Sequence, residues 1–263
     1  MAARRASMSP QARDGDEVIT PASAKSSKGR AAPKPARAAT GSGKARRAGA
    51  SKQLDRATIA EIFRRFHAAE PEPKGELEHV NAFTLLVAVV LSAQATDAGV
   101  NRATRALFKV ADTPSRMVSL GEARLVDHIK TIGLFRNKAK NVIALSEQLI
   151  DRHGGEVPDD REALEALPGV GRKTANVVMN MAFGEPTMAV DTHVFRVANR
   201  LRLAPGKTPL AVEEGLLGVV PPQYGLHAHH WLILHGRYVC KAKKPACANC
   251  IVADLCSSAD KTI

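Results

Sequence analysis

The stretch Leu-Pro-Gly-Val-Gly-Arg-Lys-Thr-Ala, residues 167–175, decides the fold of this 263-residue chain. Leu164 and Leu167 give the segment before it an inward-facing apolar side, and Pro168 is expected to end that helix because proline has no backbone N–H. A second apolar stripe at helical spacing follows, made of Ala175, Val178, Met181 and Ala182. The sequence therefore predicts two helices joined by a tight turn.

The glycines of this turn indicate contact with a phosphate. Gly169 and Gly171 flank Val170 at the start of the second helix, where free backbone N–H groups and the helix dipole attract anions. A P-loop does not fit because Arg172 stands between Gly and Lys, and a dinucleotide loop lacks its third Gly at Thr174 and a preceding strand. The string is typical of a DNA-binding helix–hairpin–helix, with a plain helix–helix turn as the alternative.

Outside this stretch, apolar residues recur with the period of a helix, while alternating strand patterns of useful length are absent. The helical stripes are Ile59, Ile62, Phe63 and Phe66; Leu85, Leu86, Val89 and Val90; and Ala139, Val142, Ile143, Ser146 and Leu149. The predicted fold class is all-α, and the length favours two domains.

Most of the net charge of +12 lies at the N-terminus. Residues 1–52 hold twelve Lys and Arg against three acidic residues, a charge of +9, and they lack apolar periodicity. This composition predicts a disordered basic tail that binds a polyanion, most simply nucleic acid; a generic solubility tail is the alternative. Aromatic residues make up only 4% of the chain, too few for a surface on which bases stack. Helices and loops are therefore expected to bind the nucleic acid.

Membrane and secreted proteins are both excluded by the apolar pattern. No apolar run approaches the roughly 18 residues of a membrane helix, and no apolar segment follows the N-terminal arginines as in a signal peptide.

Two ionisable residues are candidates for catalysis. Lys173 lies in the first turn of the second predicted helix, where the dipole favours the neutral amine, which can attack a carbon and form a Schiff base; a phosphate contact is the alternative. Asp191 precedes a helical stripe and predicts an N-cap, but its carboxylate could also stabilise positive charge on a sugar or help to deprotonate a nucleophile. Thr192 and His193 follow as candidate DNA contacts, and a structural role is favoured over catalysis for His193.

The cysteines predict a metal centre. Their spacing is C-x6-C-x2-C-x5-C, and they are Cys240, Cys247, Cys250 and Cys256. Disulfides are not expected in a chain without a secretion signal. Zinc and an iron–sulfur cluster both use such thiolates, and the compact, uneven spacing favours a [4Fe–4S] cluster. The first loop adds three candidate phosphate contacts, Lys241, Lys243 and Lys244, while four nearby histidines are predicted to be helix and core residues: His227, His229, His230 and His235.

Five motifs stand together in one order along the chain. They are Leu-Ser-Ala-Gln-Ala-Thr-Asp (91–97), Gly-Leu-Phe-Arg-Asn-Lys-Ala (133–139), the hairpin (167–175), the segment 190–197 and the cysteine spacing. In this order they resemble the endonuclease III family of bifunctional DNA glycosylases, within the helix–hairpin–helix superfamily. The resemblance runs from about residue 53 to the C-terminus.

The resemblance implies two helical domains with a DNA-binding cleft between them. A six-helix barrel containing the hairpin is expected at 75–185, and a [4Fe–4S] cluster domain at 53–74 and 186–263, with the tail 1–52 outside both. A monomer that binds damaged double-stranded DNA in a bacterial cytoplasm, associated with the nucleoid, is expected.

The resemblance also implies residue roles. Lys173 matches the family's nucleophile, Asp191 its catalytic aspartate, and the four cysteines its cluster ligands. Gln94 and Leu134 match residues that fill the gap left by a flipped base; without the family they would be a helix-end polar residue and a core leucine. Further DNA contacts are expected at Gly169, Val170, Gly171, Arg172, Thr192, His193, Lys241, Lys243 and Lys244.

The implied activity is excision of oxidised pyrimidines, followed by β-elimination at the abasic site through a lysine Schiff base. Related adenine-excising glycosylases lack the lysine. A pyrimidine-dimer glycosylase of the same fold is an open alternative. A non-catalytic DNA-binding protein is another, against which Lys173 together with Asp191 argues. An iron–sulfur redox or sensor protein is a third, disfavoured because the glycosylase pattern already explains the cysteines.

Overall fold

The computed structural model describes residues 53–263, and in this range the regular structure is entirely helical. The helices are α1 (Arg56–Ala69), α2 (Ala82–Ser92), α3 (Asp97–Leu107), α4 (Pro114–Ile129), α5 (Phe135–His153), α6 (Arg161–Glu165), α7 (Arg172–Phe183), α8 (Thr192–Arg200), α9 (Pro209–Val219) and α10 (Gly225–Tyr238), with short 3-10 turns at Pro222–Tyr224 and Cys247–Asn249. The all-α prediction is confirmed. The predicted basic tail, residues 1–52, lies outside the described residues.

Two hydrophobic cores organise the helices. Helices α2 to α7 build the first core, whose buried residues run from Phe83 to Val178. Helices α1 and α8 to α10 build the second core, to which Val252 also belongs. The described part of the chain thus begins in the second core, crosses to the first for six helices, and returns at Met188.

Buried amides fix the segment by which the chain returns to the second core. The side chain of Asn176 donates to the carbonyl of Met188 at 3.1 Å. One turn later, Asn180 donates to the carbonyls of Glu185 at 2.9 Å and Leu226 at 3.0 Å. Because an unpaired buried donor is costly, these bonds tie α7 to the segment that leads into α8 and, through Leu226, to the first turn of α10.

Candidate functional site

The hairpin between α6 and α7 uses its two glycines differently. Gly169 has a left-handed φ of 79°, and a Cβ built there would lie 2.7 Å from Nδ2 of Asn141. Gly171 is the N-cap of α7 with ordinary extended backbone, and a Cβ built there would meet nothing within 4 Å. Only Gly171 therefore keeps the approach to the α7 N-terminus open, whereas Gly169 is required by the turn itself.

The backbone of this hairpin leaves donors available. The N–H of Val170 donates to the carbonyl of Leu167 at 3.1 Å, whereas the N–H groups of Gly169 and Gly171 have no acceptor in the described part of the chain. The first helix ends at Glu165, earlier than the expected stop at Pro168, because proline also disfavours helical backbone in the residue before it.

Lys173 is exposed in the first turn of α7 and lines a cavity between the two cores. Within residues 53–263 its amine makes no hydrogen bond or ion pair. The cavity wall includes Gly75, Val177 and Met181, together with His229 from α10. The amine thus faces a partly enclosed space without a carboxylate partner.

Two buried histidines share that cavity. Burial, aided by the charges of His230, Lys173 and Arg237, lowers the pKa of His229 to about 3. Burial also lowers the pKa of His230, and Nδ1 of neither ring has a hydrogen-bond partner in the part of the chain that the structure describes. The sequence correctly predicts these imidazoles as buried, but it gives no signal that α10 brings them to Lys173.

Asp191 caps α8 as predicted. Its Oδ1 accepts hydrogen bonds from the N–H groups of His193 and Val194, both at 2.8 Å. Asp191 is not among the residues that line the cavity at Lys173. Thr192, the first residue of α8, is exposed.

A second groove adjoins the Lys173 cavity. His193 lines this groove. Asp97 and Arg237 line both the groove and the Lys173 cavity. Arg237 donates hydrogen bonds to Asp97 and to Glu76. The α8 N-terminus and Lys173 therefore border one continuous depression.

Gln94 and Leu134 lie on neighbouring loops in the same unusual conformation. Both have left-handed backbone, with φ of 55° and 59°, which is uncommon for residues other than glycine. A Cβ built on Gly133 would lie 4.0 Å from the carbonyl oxygen of Gln94. Gln94 is exposed and Leu134 is 55% exposed, so Leu134 is not the core leucine that its residue type alone suggests.

The four cysteines line one cavity beside α10. Nη1 of Arg200 lies 3.6 Å from Sγ of Cys240, and the N–H of Thr262 lies 3.5 Å from Sγ of Cys247. Such donors stabilise thiolates. No three His, Cys, Asp or Glu residues between 53 and 263 converge closely enough for a single metal ion. Four thiols around one cavity fit a larger iron–sulfur cluster better than one zinc ion.

Arginines of α8 hold the loop between the first two cysteines. Nε of Arg196 donates to the carbonyl of Cys240 at 2.9 Å, and Nη1 of Arg200 donates to the carbonyl of Lys241 at 2.6 Å. Lys241, Lys243 and Lys244 are all exposed on this loop. The loop therefore presents three ammonium groups to solvent next to the cysteine cavity.

Two family models match the chain. The HhH-GPD superfamily of base excision DNA repair proteins matches residues 87–222, and the iron-sulfur binding domain of endonuclease III matches residues 240–256. Fold and site thus define a DNA repair protein with a helix–hairpin–helix and an iron–sulfur domain. The second match confirms the predicted [4Fe–4S] cofactor. No helix in the described part of the chain is long and apolar enough to cross a bilayer.

Curated relatives and solved structures narrow the class. Endonuclease III of Treponema pallidum is 58% identical over 203 residues, 77% of this chain and 96% of the relative. Endonuclease III of Escherichia coli K12 is 55% identical over 208 residues, 79% of this chain and 99% of the relative. A trapped endonuclease III–DNA covalent intermediate superposes with a TM-score of 0.73 at 45% identity, covering 78% of this chain and 97% of that one. The chain belongs to the endonuclease III family.

Proposed function

We propose that this protein removes oxidised pyrimidines from double-stranded DNA and cleaves the abasic site by β-elimination. The observation that carries the proposal is the Lys173 amine, exposed and unpaired among the described residues, on the first turn of the hairpin helix. An endonuclease III has been trapped as a covalent intermediate with DNA, which supports a nucleophile of this kind.

The damaged nucleotide is first turned out of the duplex. Gln94 and Leu134 enter the stack from adjacent loops, and the left-handed backbone of both projects exposed side chains from them. A lesion that stacks or pairs weakly costs less to extrude, which provides part of the selectivity.

The chemistry then takes place at C1′ of the extruded nucleotide. The neutral Lys173 amine attacks C1′ while the base departs with the electron pair of the glycosidic bond and takes up a proton. The Asp191 carboxylate stabilises positive charge on the sugar and accepts a proton from the amine. The nitrogen lone pair then forms an imine as the bond from C1′ to the ring oxygen O4′ breaks, and O4′ takes up the proton held by Asp191. The imine acidifies the C2′ proton, and its removal expels the 3′ phosphate and breaks the strand.

Phosphate contacts provide affinity without sequence preference. The N–H groups of Gly169 and Gly171, which have no acceptor among residues 53–263, bind one phosphate at the α7 N-terminus, while Val170, whose N–H closes the turn, supports the hairpin. Further contacts are assigned to Thr192, His193, Lys241, Lys243 and Lys244, and to the backbone N–H of Arg172, whose side chain pairs with Glu213.

The two cores act as two domains with the DNA cleft between them. The barrel domain spans 75–185, and the cluster domain combines 53–74 with 186–263, a division supported by the separate cores. When bound, the cluster supplies iron–thiolate bonds that hold the cysteine loop, and the base chemistry belongs to the side chains. We further propose a monomer that acts in the cytoplasm on the bacterial nucleoid.

The test is borohydride trapping on a duplex with one thymine glycol, comparing wild type, Lys173→Gln and Lys130→Gln. Lys130 is a solvent-exposed lysine paired with Asp127, so its variant controls for loss of a surface charge. We expect a covalent adduct with wild type and Lys130→Gln but none with Lys173→Gln. Adducts with all three would place the nucleophile elsewhere, and no adduct on this duplex or on an abasic site would overturn the lyase assignment. A duplex with a pyrimidine dimer in parallel tests the other lesion class.

A further inference from the structure

Arg172, the residue before Lys173, is held by a carboxylate from the other core. Its Nε lies 3.1 Å from both side-chain oxygens of Glu213, and Nη2 lies 2.9 Å from Oε1. Arg172 begins α7, which belongs to the first core, whereas Glu213 lies on α9 beside Val212 of the second core. The ion pair therefore joins the hairpin helix to the opposite core.

Burial of the Glu213 carboxylate opposes separation of this pair, although the Arg172 side chain is itself 42% exposed. Glu213 is only 4% exposed, and Arg172 is its one hydrogen-bond partner in the described part of the chain. A buried carboxylate that loses its partner keeps an uncompensated charge, which is strongly unfavourable. Arg172 is thus expected to stay with Glu213 when DNA approaches, unlike the solvent-exposed lysines of the cysteine loop.

The first turn of α7 has few other restraints. Its N-cap, Gly171, has no side chain to accept a capping hydrogen bond, and Gly169 precedes it in left-handed backbone. From residues 167–173, the bond to Glu213 is the one side-chain hydrogen bond to the second core within the described residues. The pair also neutralises Arg172 at the positive end of the helix, which leaves Lys173 as a cation there that has no ion-pair partner among the described residues.

We infer that Glu213 is a positioning residue, which through Arg172 fixes the first turn of α7, and with it the Lys173 amine, relative to the core that carries Asp191. This inference rests on the proposed lysine chemistry. Because misplacing a reacting group by about 1 Å can cost about a hundredfold in rate, a pair adjacent in sequence to the nucleophile should act mainly on the chemical step. Ground-state DNA binding should change little.

The experiment compares Glu213→Gln, Arg172→Lys and the double variant Arg172→Gln/Glu213→Gln with wild type. An abasic-site duplex under single-turnover conditions with saturating enzyme gives the trapping rate, a duplex with a tetrahydrofuran abasic analogue gives Kd, and thermal unfolding gives Tm. Arg172→Lys keeps the charge but loses the two-pronged geometry. We expect each variant to trap about tenfold to a hundredfold more slowly, with Kd within about twofold. The double variant should be no slower than Glu213→Gln alone.

A remote ion pair provides the control. Arg105 and Glu78 form an exposed salt bridge on the first core, and Glu78→Gln should leave the trapping rate unchanged. If Glu213→Gln traps at the wild-type rate, or lowers Tm alone, the inference is wrong. It is equally wrong if Arg172→Lys keeps the wild-type rate, since charge alone then suffices. If wild type itself fails to trap, the proposed lysine chemistry fails, and this inference fails with it.

Discussion

At the scale of single residues, Asp191 combines a structural role with a proposed chemical one, and two substitutions separate them. Asparagine caps a helix about as well as aspartate, and its amide oxygen can keep both bonds that Oδ1 accepts. We expect Asp191→Asn to keep a Tm near that of wild type while lowering the trapping rate about a hundredfold or more. Asp191→Ala should in addition lose about 1 kcal/mol of stability.

Asp160 gives the matched control, because it caps α6 through the N–H of Ala163 and lies outside the proposed site. Asp160→Asn and Asp160→Ala should repeat the effects on Tm and leave trapping unchanged. If Asp191→Asn trapped at the wild-type rate, Asp191 would be a helix cap only.

His229 predicts a pH dependence of stability. Its pKa, held at about 3 by burial, lies below the ordinary value of about 6.5, so between these values the unfolded chain binds a proton that the folded chain does not. The stabilisation is complete above pH 6.5 and is lost as pH falls toward 3. Going from pH 8 to pH 5 should cost about 2 kcal/mol from this imidazole.

Denaturant unfolding at the two pH values tests this prediction. His229→Leu should reduce the difference in unfolding free energy between pH 8 and pH 5 by about 2 kcal/mol, whereas His79→Leu, at an exposed position, should not. An unchanged pH dependence in His229→Leu would mean that this imidazole protonates inside the folded protein.

Residue roles were predictable where they depend on nearby sequence. The cap at Asp191 is readable because its partners follow within three positions. The neighbours of Lys173 and Arg172 were not predictable, because they are distant in the sequence. His229 lies 56 positions after Lys173, and Glu213 lies 41 positions after Arg172. No local pattern encodes such contacts.

At the scale of elements, the hairpin should respond unequally to the loss of its glycines. Gly169→Ala forces left-handed backbone on alanine and brings the new methyl against Asn141, so we expect at least about 1–2 kcal/mol of destabilisation. Gly171→Ala meets nothing within 4 Å among residues 53–263, so its Tm should change little. Its methyl instead faces the proposed phosphate, and its Kd for abasic-site duplex should rise severalfold.

Thermal unfolding and DNA titration of the two variants decide between these effects. Equal destabilisation by both substitutions would contradict the separate roles of the glycines. An unchanged Kd for Gly171→Ala would mean that no phosphate binds at the N-terminus of α7.

Helix periodicity predicted the fold class because each stripe is local to its helix, as in α1, where Ile59, Ile62, Phe63 and Phe66 are all buried. Periodicity does not predict which helices share a core. Helix α2 is buried on every side from Phe83 to Leu91, so it has no polar face to orient it. Its place at the centre of the first core depends on tertiary packing.

At the scale of the whole molecule, ion pairs connect the two cores around the Lys173 cavity. Arg172 pairs with Glu213, and Arg237 of α10 pairs with Glu76 and Asp97, which line the cavity. Apolar packing therefore stabilises each core internally, while these ion pairs and the buried amides of α7 connect one core to the other.

The charge distribution along the chain gives the last prediction, which concerns a segment outside the described residues. The first 52 residues carry +9 of the total +12, so they should neutralise DNA phosphates without reading sequence. The logarithm of the binding constant falls with the logarithm of salt concentration by about 0.9 for each phosphate neutralised. Deleting residues 1–52 should flatten that slope, measured by titration on duplexes with and without a lesion. Replacing all twelve basic residues of the segment with glutamine in the full-length chain should flatten it equally, while the preference for damaged DNA and the trapping rate at saturating enzyme stay the same. An unchanged slope in both variants would mean that only residues 53–263 bind phosphates. A loss of the preference for damaged DNA would mean that the segment takes part in lesion recognition, which its composition does not predict.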